Sequence, residues 1–195
     1  MTSAPTEPEQ PVVGEAQPVV GGAQPVPGAG EHGPAVTGLN ALGRPTGYRY
    51  ERPEASSLEV FDNPHPGATW AVALLCIEFT SLCPVTGQPD YGHLRIEYVP
   101  GRRCVESKSL KLYLVRYRNE GAFHEDCVNR VADDISAVIS PRYLRVFGDF
   151  NARGGIAIKP LAVRAAPDLG PEEEARCLSL LAQVGSCERV AAGSW

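Results

Sequence analysis

From Tyr48 onward the hydrophobic and polar positions follow two different periods, and the changes of period mark the elements. "TWAVALLCIEFT" (69–80) is a β-branched and aromatic run bounded by "NPHPG" and a Cys-Pro turn, which predicts a strand. "HLRIEYVP" (93–100) alternates Leu94, Ile96 and Tyr98 with Arg95, Glu97 and Val99, giving a second strand joined to the first by a wide connection. In "SLKLYLVRYRNEG" (109–121), Leu110 with Leu114 and Tyr113 with Tyr117 repeat at i, i+4, while Lys108, Lys111 and Arg118 fall on another side. That spacing predicts a helix ending at Gly121. "FHEDCVNRVADDISAVIS" (123–140) places Val128, Ala132, Ile135 and Ile139 on one stripe, with Glu125 and Asp126 in the first turn, and Pro141 ends this second helix. "RYLRVFGDF" and "GGIAIKPLAV" then read as two short strands around an "NARGG" turn, and "PEEEARCLSLLAQV" (171–184) as a short terminal helix. The order strand, strand, helix, helix, strand, strand predicts an α+β fold, a sheet layered with two helices.

Composition divides the chain in three. Residues 1–43 contain four Glu, no Lys or Arg, and the repeat "QPVVGEA", "QPVVGGA", "QPVPGAG" beginning at Gln10, Gln17 and Gln24. Three seven-residue units are too short to stack, and this Pro/Gly-rich setting buries too little apolar surface to offset its ordering entropy. The expectation is a disordered arm over residues 1–47, a folded domain over 48–163 and a tail with a short helix over 164–195. The arm reads as a spacer or as a docking peptide. A net charge of -5 argues against a broad nucleic-acid-binding surface. No basic region precedes an apolar run, and "WAVALLCIEF" is too short to span a bilayer, so a cytoplasmic location with six free thiols is expected.

Three stretches carry candidate chemistry. In "TSLCPVTGQPDYG" (80–92), Cys83 precedes a proline, and Pro84, Thr86-Gly87 and Pro89 stiffen the loop that holds it. A lone cysteine is ordinarily a small buried hydrophobe, but here Asp90, Tyr91 and His93 share the loop or its exit. In "CVESKSLKLY" (104–113), Ser107 or Ser109 is a natural N-cap. Lys108 and Lys111 share a helical face near the helix start, where lysine opposes the macrodipole and asks for a reason such as a phosphate ligand. In "FHED", His124 and Glu125 open the second helix, where an acid is also ordinary capping chemistry. No Cys pair or His pair has metal-ligand spacing and no G-x-S-x-G elbow is present, so neither a zinc site nor a serine hydrolase is expected.

Taken together, "SLCPVTGQPDYG", "ESKSLKLY" and "FHEDC" resemble the short form of the NADPH-dependent 7-cyano-7-deazaguanine reductases, the nitrile reductases of the queuosine pathway, from about Phe79 to Ile158. The resemblance implies the tunnelling fold, an antiparallel four-stranded sheet with two helices between its second and third strands, and no metal. It implies that Cys83 is a nucleophile forming a covalent thioimide and that Asp90 supplies the proton to nitrogen. Val105, Glu106, Ser107, His124 and Glu125 would contact the deazaguanine, and Lys108 and Lys111 would serve NADPH, two per turnover. It further implies a ring assembly, a decamer of two pentamers with shared sites, acting on a free deazapurine rather than on nucleic acid or at a membrane. Cys127, two residues after Glu125, is a candidate for a reversible protective disulfide with Cys83. The arm before Tyr48 and the tail after about Val163 depart from the family pattern. Two rivals stay open at this point: the related nitrile amidinotransferase, and a non-catalytic purine-like ligand-binding protein in which Cys83 is inert.

Overall fold

The computed structural model describes residues 39–40 and 47–191, so the repeat arm expected over 1–47 lies almost wholly outside the described residues. The elements are β1 (Val60–Asp62), β2 (Val72–Leu82), β3 (Pro89–Val99), β4 (Arg103–Val105), α1 (Ser107–Val115), α2 (His124–Ile139), β5 (Tyr143–Phe150), β6 (Leu161–Ala165) and α3 (Pro171–Ala191). One antiparallel sheet has the order β2-β3-β5-β6, with α1 and α2 inserted between its second and third strands, as the tunnelling fold requires. A second sheet, β1 with β4, was not expected: strands of three residues carry too little periodicity to be recognised.

Side-chain parity explains the core. The even positions of β3 (Leu94, Ile96, Tyr98) and of β5 (Leu144, Val146, Phe150) are buried and pack with the α2 stripe Val128, Val131, Ala132, Ile135 and Ile139. The hydroxyl of Tyr113 on α1 donates to Asp134 Oδ2 of α2 at 2.7 Å and lies 3.0 Å from the hydroxyl of Tyr117, so the two helices are tied by polar contacts as well as by packing. Ser140 closes α2 with φ 45°, a left-handed cap directly before Pro141.

β2 contains a bulge. Its pairing runs Cys76 with Leu94 and then Phe79 with Gly92, so one extra residue is accommodated between them. The helix-facing positions change there from even (Leu74, Cys76) to odd (Phe79, Ser81). The connection to β3 is also tighter than the sequence suggests. Leu82 pairs with Pro89, and the Cys83 N–H donates to Gln88 O at 2.8 Å, leaving residues 83–88 as the whole loop. Proline is tolerated as the first residue of a strand, and Gly87 supplies the positive φ, 69°, that the turn needs.

The terminal helix is longer than expected, twenty-one residues in α3. Its Cys177 and Leu181, one turn apart, are buried against Val99 and Tyr143, on the sheet face opposite α1 and α2. Arg142 joins the sheet to this segment, reaching Glu173 at 2.6 Å and Asp168 at 2.7 Å. Among the described residues no helix is long and apolar enough to cross a membrane.

Gly92 faces β5 so closely that an added Cβ would lie 2.6 Å from the Asp149 carbonyl oxygen and 2.9 Å from Phe150 Cα. Gly92→Ala is therefore expected to push β5 away and cost about 1–3 kcal/mol of stability, read from the urea midpoint at constant m. A midpoint equal to wild type would show that the close approach of the strands is not required.

Candidate active site

The bulge and the tight loop together decide where Cys83 points. Asp90 pairs with Ser81, and Cys83 lies two residues beyond Ser81, so Cys83, Ser81 and Asp90 share the helix-facing side of the sheet. Cys83 and Asp90 are then diagonal neighbours, a relation that separates residues by roughly 7–8 Å. Cys83 is 7% exposed and Asp90 4%.

The segment entering α2 is fastened to the base of the Cys83 loop. The Leu82 N–H donates to Glu120 O at 2.9 Å and the Ala122 N–H to Leu82 O at 3.0 Å. This brings His124, the first residue of α2, over Asp90, with Nε2 3.2 Å from Asp90 Oδ2. The His124 ring lies flat on Phe150, centroids 4.0 Å apart and planes 9° apart. Both ring nitrogens are buried, and neither makes a hydrogen bond among the described residues. Glu125 follows, exposed in the first turn of α2.

The thiol is activated. Hydrogen bonds from the Thr86 hydroxyl, the Thr86 backbone, the Arg153 side chain and the Val85 backbone lower the Cys83 pKa to about 6, so the thiolate predominates at neutral pH. Cys127 shows the opposite case: burial pushes its thiol up to about 12. Cys83 and Cys127 are both free thiols.

Arg153 is the contact that the sequence reading did not find. Its Nη1 donates to Asp90 Oδ1 at 2.7 Å. The "NARGG" stretch was legible only as a turn, because its partner Asp90 lies 63 positions away in the chain.

The second group of candidates is built around β4 and α1. Val105 and Glu106 are buried and Ser107 is exposed. The cap of α1 differs from the expectation of Ser107 or Ser109: Glu106 is the N-cap, its carboxylate accepting from the Lys108 N–H at 2.8 Å and the Ser109 N–H at 2.6 Å. The carboxylate offers a separate oxygen to each of the two N–H groups, and its charge meets the positive helix end. The segment is fixed by β1 and Glu59, with the Glu106 N–H donating to Glu59 O at 2.8 Å and the Glu59 N–H to Ser109 Oγ at 2.9 Å.

Two grooves flank β2, and Cys83 lines neither. One, of about 310 Å³, has Leu74, Leu110 and Leu114 as apolar walls, with Ser107, Lys111 and Arg118 on its rim. Cations over an apolar trough fit the phosphates and flat rings of a dinucleotide. Lys111 also stands 5.7 Å from the ring of Tyr48. Among the described residues no group of three or more His, Cys, Asp or Glu is placed to hold a metal ion.

Known proteins give the context for this geometry. The family model described as QueF-like protein matches residues 89–168. An NADPH-dependent 7-cyano-7-deazaguanine reductase of Helicobacter pylori is 48% identical over 141 residues, covering 72% of this chain and 96% of that relative. A protein of the same name from Neisseria meningitidis is 53% identical over 132 residues, 65% of this chain and 81% of the relative. A solved apo structure of an archaeosine synthase QueF-Like is similar over 49% of this chain and 94% of its own, with a TM-score of 0.46 and 21% identity. With 48% identity over an aligned region that spans 72% of this chain and 96% of the Helicobacter relative, the chain belongs to the family of NADPH-dependent 7-cyano-7-deazaguanine reductases.

Proposed function

We propose that this chain reduces the nitrile of 7-cyano-7-deazaguanine to an aminomethyl group with NADPH, through a thioimide on Cys83, in the cytoplasmic queuosine route of tRNA modification. The observation that carries the reading is the meeting of an ionised thiol with Asp90 and His124 at one buried corner, in a chain whose relatives are named for that reaction.

The Cys83 thiolate adds to the nitrile carbon, forming the C–S bond while one π bond of the nitrile opens onto nitrogen. That nitrogen must gain one proton for the adduct to be a neutral thioimide. Asp90, the acid beside it, delivers a proton to that nitrogen as the adduct forms, so no anionic charge accumulates. When bound, NADPH would supply two hydrides, one at the thioimide stage and one at the imine left when Cys83 departs, hence two molecules per turnover, and nitrogen would take its second proton from solvent through Asp90 as the second hydride arrives. Lys108 and Lys111 would hold its phosphates beside the β2 groove. Glu125 offers a bidentate acceptor for the amino and ring N–H groups of the free deazapurine, and His124 holds the base beside it.

The sheet supports a ring assembly, two pentamers face to face. Both edges are open: β2 exposes Leu75 and Ile77, and β6 exposes Leu161. Pairing one edge with the other edge of the next copy is head-to-tail, the relation that closes into rings. Val105, Glu106 and Ser107, which a single chain fixes against β1 and Glu59, would then complete the purine site around Cys83 of a neighbouring copy.

Mixing the protein with the nitrile and following intact mass alongside NADPH oxidation tests the chemistry. The expected result is an adduct absent in Cys83→Ala, two NADPH oxidised per amine, and a kcat lowered about 10²- to 10⁴-fold in Asp90→Asn. Adduct without NADPH oxidation would indicate an amidinotransferase, and no adduct would exclude the covalent route. For the assembly, Ile77→Glu is expected to yield smaller species by light scattering together with loss of turnover. Full turnover by a monomer would exclude shared sites.

A further inference from the structure

The stretch from Glu120 to Asp126 joins two halves of the proposed site. Toward the nucleophile, the Leu82 N–H donates to Glu120 O and the Ala122 N–H to Leu82 O, so Gly121 runs parallel to the base of the Cys83 loop. A Cβ added at Gly121 would stand 3.4 Å from Pro84 Cα, which puts the two segments in packing contact. Toward the purine, the same stretch carries His124 and Glu125 into α2. The start of that helix is not fixed in the usual way, because Phe123 is its N-cap and makes no side-chain capping hydrogen bond.

One side chain grips this stretch at both ends. Arg130, on α2, donates from Nη1 to Glu120 Oε1 at 2.7 Å and from Nη2 to Asp126 Oδ2 at 3.0 Å. Glu120 lies before the helix and Asp126 in its first turn, so the two contacts enclose Gly121, His124 and Glu125. The Arg130 and Glu120 side chains are 23% and 19% exposed, and their pair is less screened than an ordinary surface pair. Arg52 also stands 3.7 Å from Glu120, but at 73% exposure it adds little.

We propose that Arg130 is a positioning residue: by holding Glu120 and Asp126 on one planar fork, it fixes the register between the Cys83 loop and the two residues that open α2, His124 and Glu125. The consequence for the reaction rests on the nitrile-reductase reading; the clamp itself does not. Glu120 serves twice, its side chain taking the guanidinium while its backbone carbonyl takes the Leu82 N–H. A displacement of Glu120 is therefore passed to Cys83 through one hydrogen bond and one peptide unit. Attack on the nitrile requires sulfur to meet carbon while the ring is held from the α2 side, and a misplacement of about 1 Å can cost 10²-fold in rate. A guanidinium reaches two carboxylates in a fixed geometry, which a single ammonium does not.

Two measurements test this on the full chain with Arg130→Met, which keeps the aliphatic stem and removes the fork. The first needs neither nitrile nor NADPH: amide hydrogen exchange, read by mass spectrometry on peptides containing Leu82 and Ala122. Exchange there is expected to be about fivefold faster or more, with peptides from the centres of β3 and β5 unchanged. Unchanged exchange overturns the proposal. So does an increase shared equally by β3 and β5, because a role in overall stability alone would move every element together. The second measurement compares two reagents for one thiol. Iodoacetamide needs only Cys83, and its alkylation rate is expected to stay within about twofold of wild type. Adduct formation at saturating nitrile needs both halves in register and is expected to fall roughly tenfold or more. An adduct rate equal to wild type overturns the positioning role. If wild type forms no adduct, the nitrile-reductase reading fails and the exchange result still decides the clamp. Should Arg130→Met prevent folding, Glu120→Ala carries the same test, since it removes the other half of the pair and leaves α2 intact. In the double variant the adduct rate is expected to be no lower than in the slower single variant, and additive losses overturn the proposal equally.

Discussion

The bulge in β2 is the constraint on which the site depends. Side chains of a strand alternate with a period of two, so one inserted residue transfers everything beyond it to the other face. Before the bulge the even positions Leu74 and Cys76 face the helices. After it the odd positions Phe79 and Ser81 do, and with them Cys83. Asp90 is even, but it lies on β3, where no insertion intervenes, and it is opposite Ser81. Without the extra residue, the strand that buries Leu74 would turn Cys83 away from Asp90, Arg153 and His124. The insertion falls at Ile77 and Glu78, both exposed, so the core pays little for the change of parity.

What was legible in the sequence follows the range of the forces involved. The α2 stripe of Val128, Ala132, Ile135 and Ile139 repeats within sixteen residues, and the alternation in β3 within eight, so both could be read locally. The pairing of β1 with β4 joins Val60 to Val105, and the contact of Arg153 with Asp90 crosses 63 positions; neither leaves a local pattern. The exchange of caps at α1 has another cause. Serine is favoured in general, but the buried carboxylate of Glu106 can satisfy two N–H groups at once, and Ser109 is then free to tie the helix to Glu59. Cys83 itself could be read as either structural or reactive from its loop alone. The distinction came from how the folded loop turns Thr86 and the Val85 backbone toward the sulfur, beside Asp90 and His124, which only the fold assembles.

Burial and charge are in tension at this corner, and the resolution explains its composition. A carboxylate as buried as Asp90 is costly unless it is paired and hydrogen-bonded. The Arg153 guanidinium relieves this, because it cannot lose its proton and donates to Asp90 Oδ1 at 2.7 Å. Thr86 and the backbone of Val85 then add donors to sulfur without adding charge. The neutral Phe150 ring stacked beneath His124 keeps the imidazole over Asp90 without competing for its charge.

Cys127 shows that burial alone does not make a cysteine reactive. It is more deeply buried than Cys83, yet its thiol is pushed up to about 12 while that of Cys83 falls to about 6. The difference lies in the donors. Cys83 sits where a tight loop turns backbone N–H groups, a hydroxyl and a guanidinium toward one sulfur; Cys127 lies inside a helix whose N–H groups are already engaged and is faced mainly by apolar surface. A proline-stiffened loop on the end of a sheet serves nucleophilic chemistry better than a helix interior does. It holds the sulfur still while leaving the Val85 and Thr86 N–H groups to face it, and the sheet beneath fixes the distance to the acid.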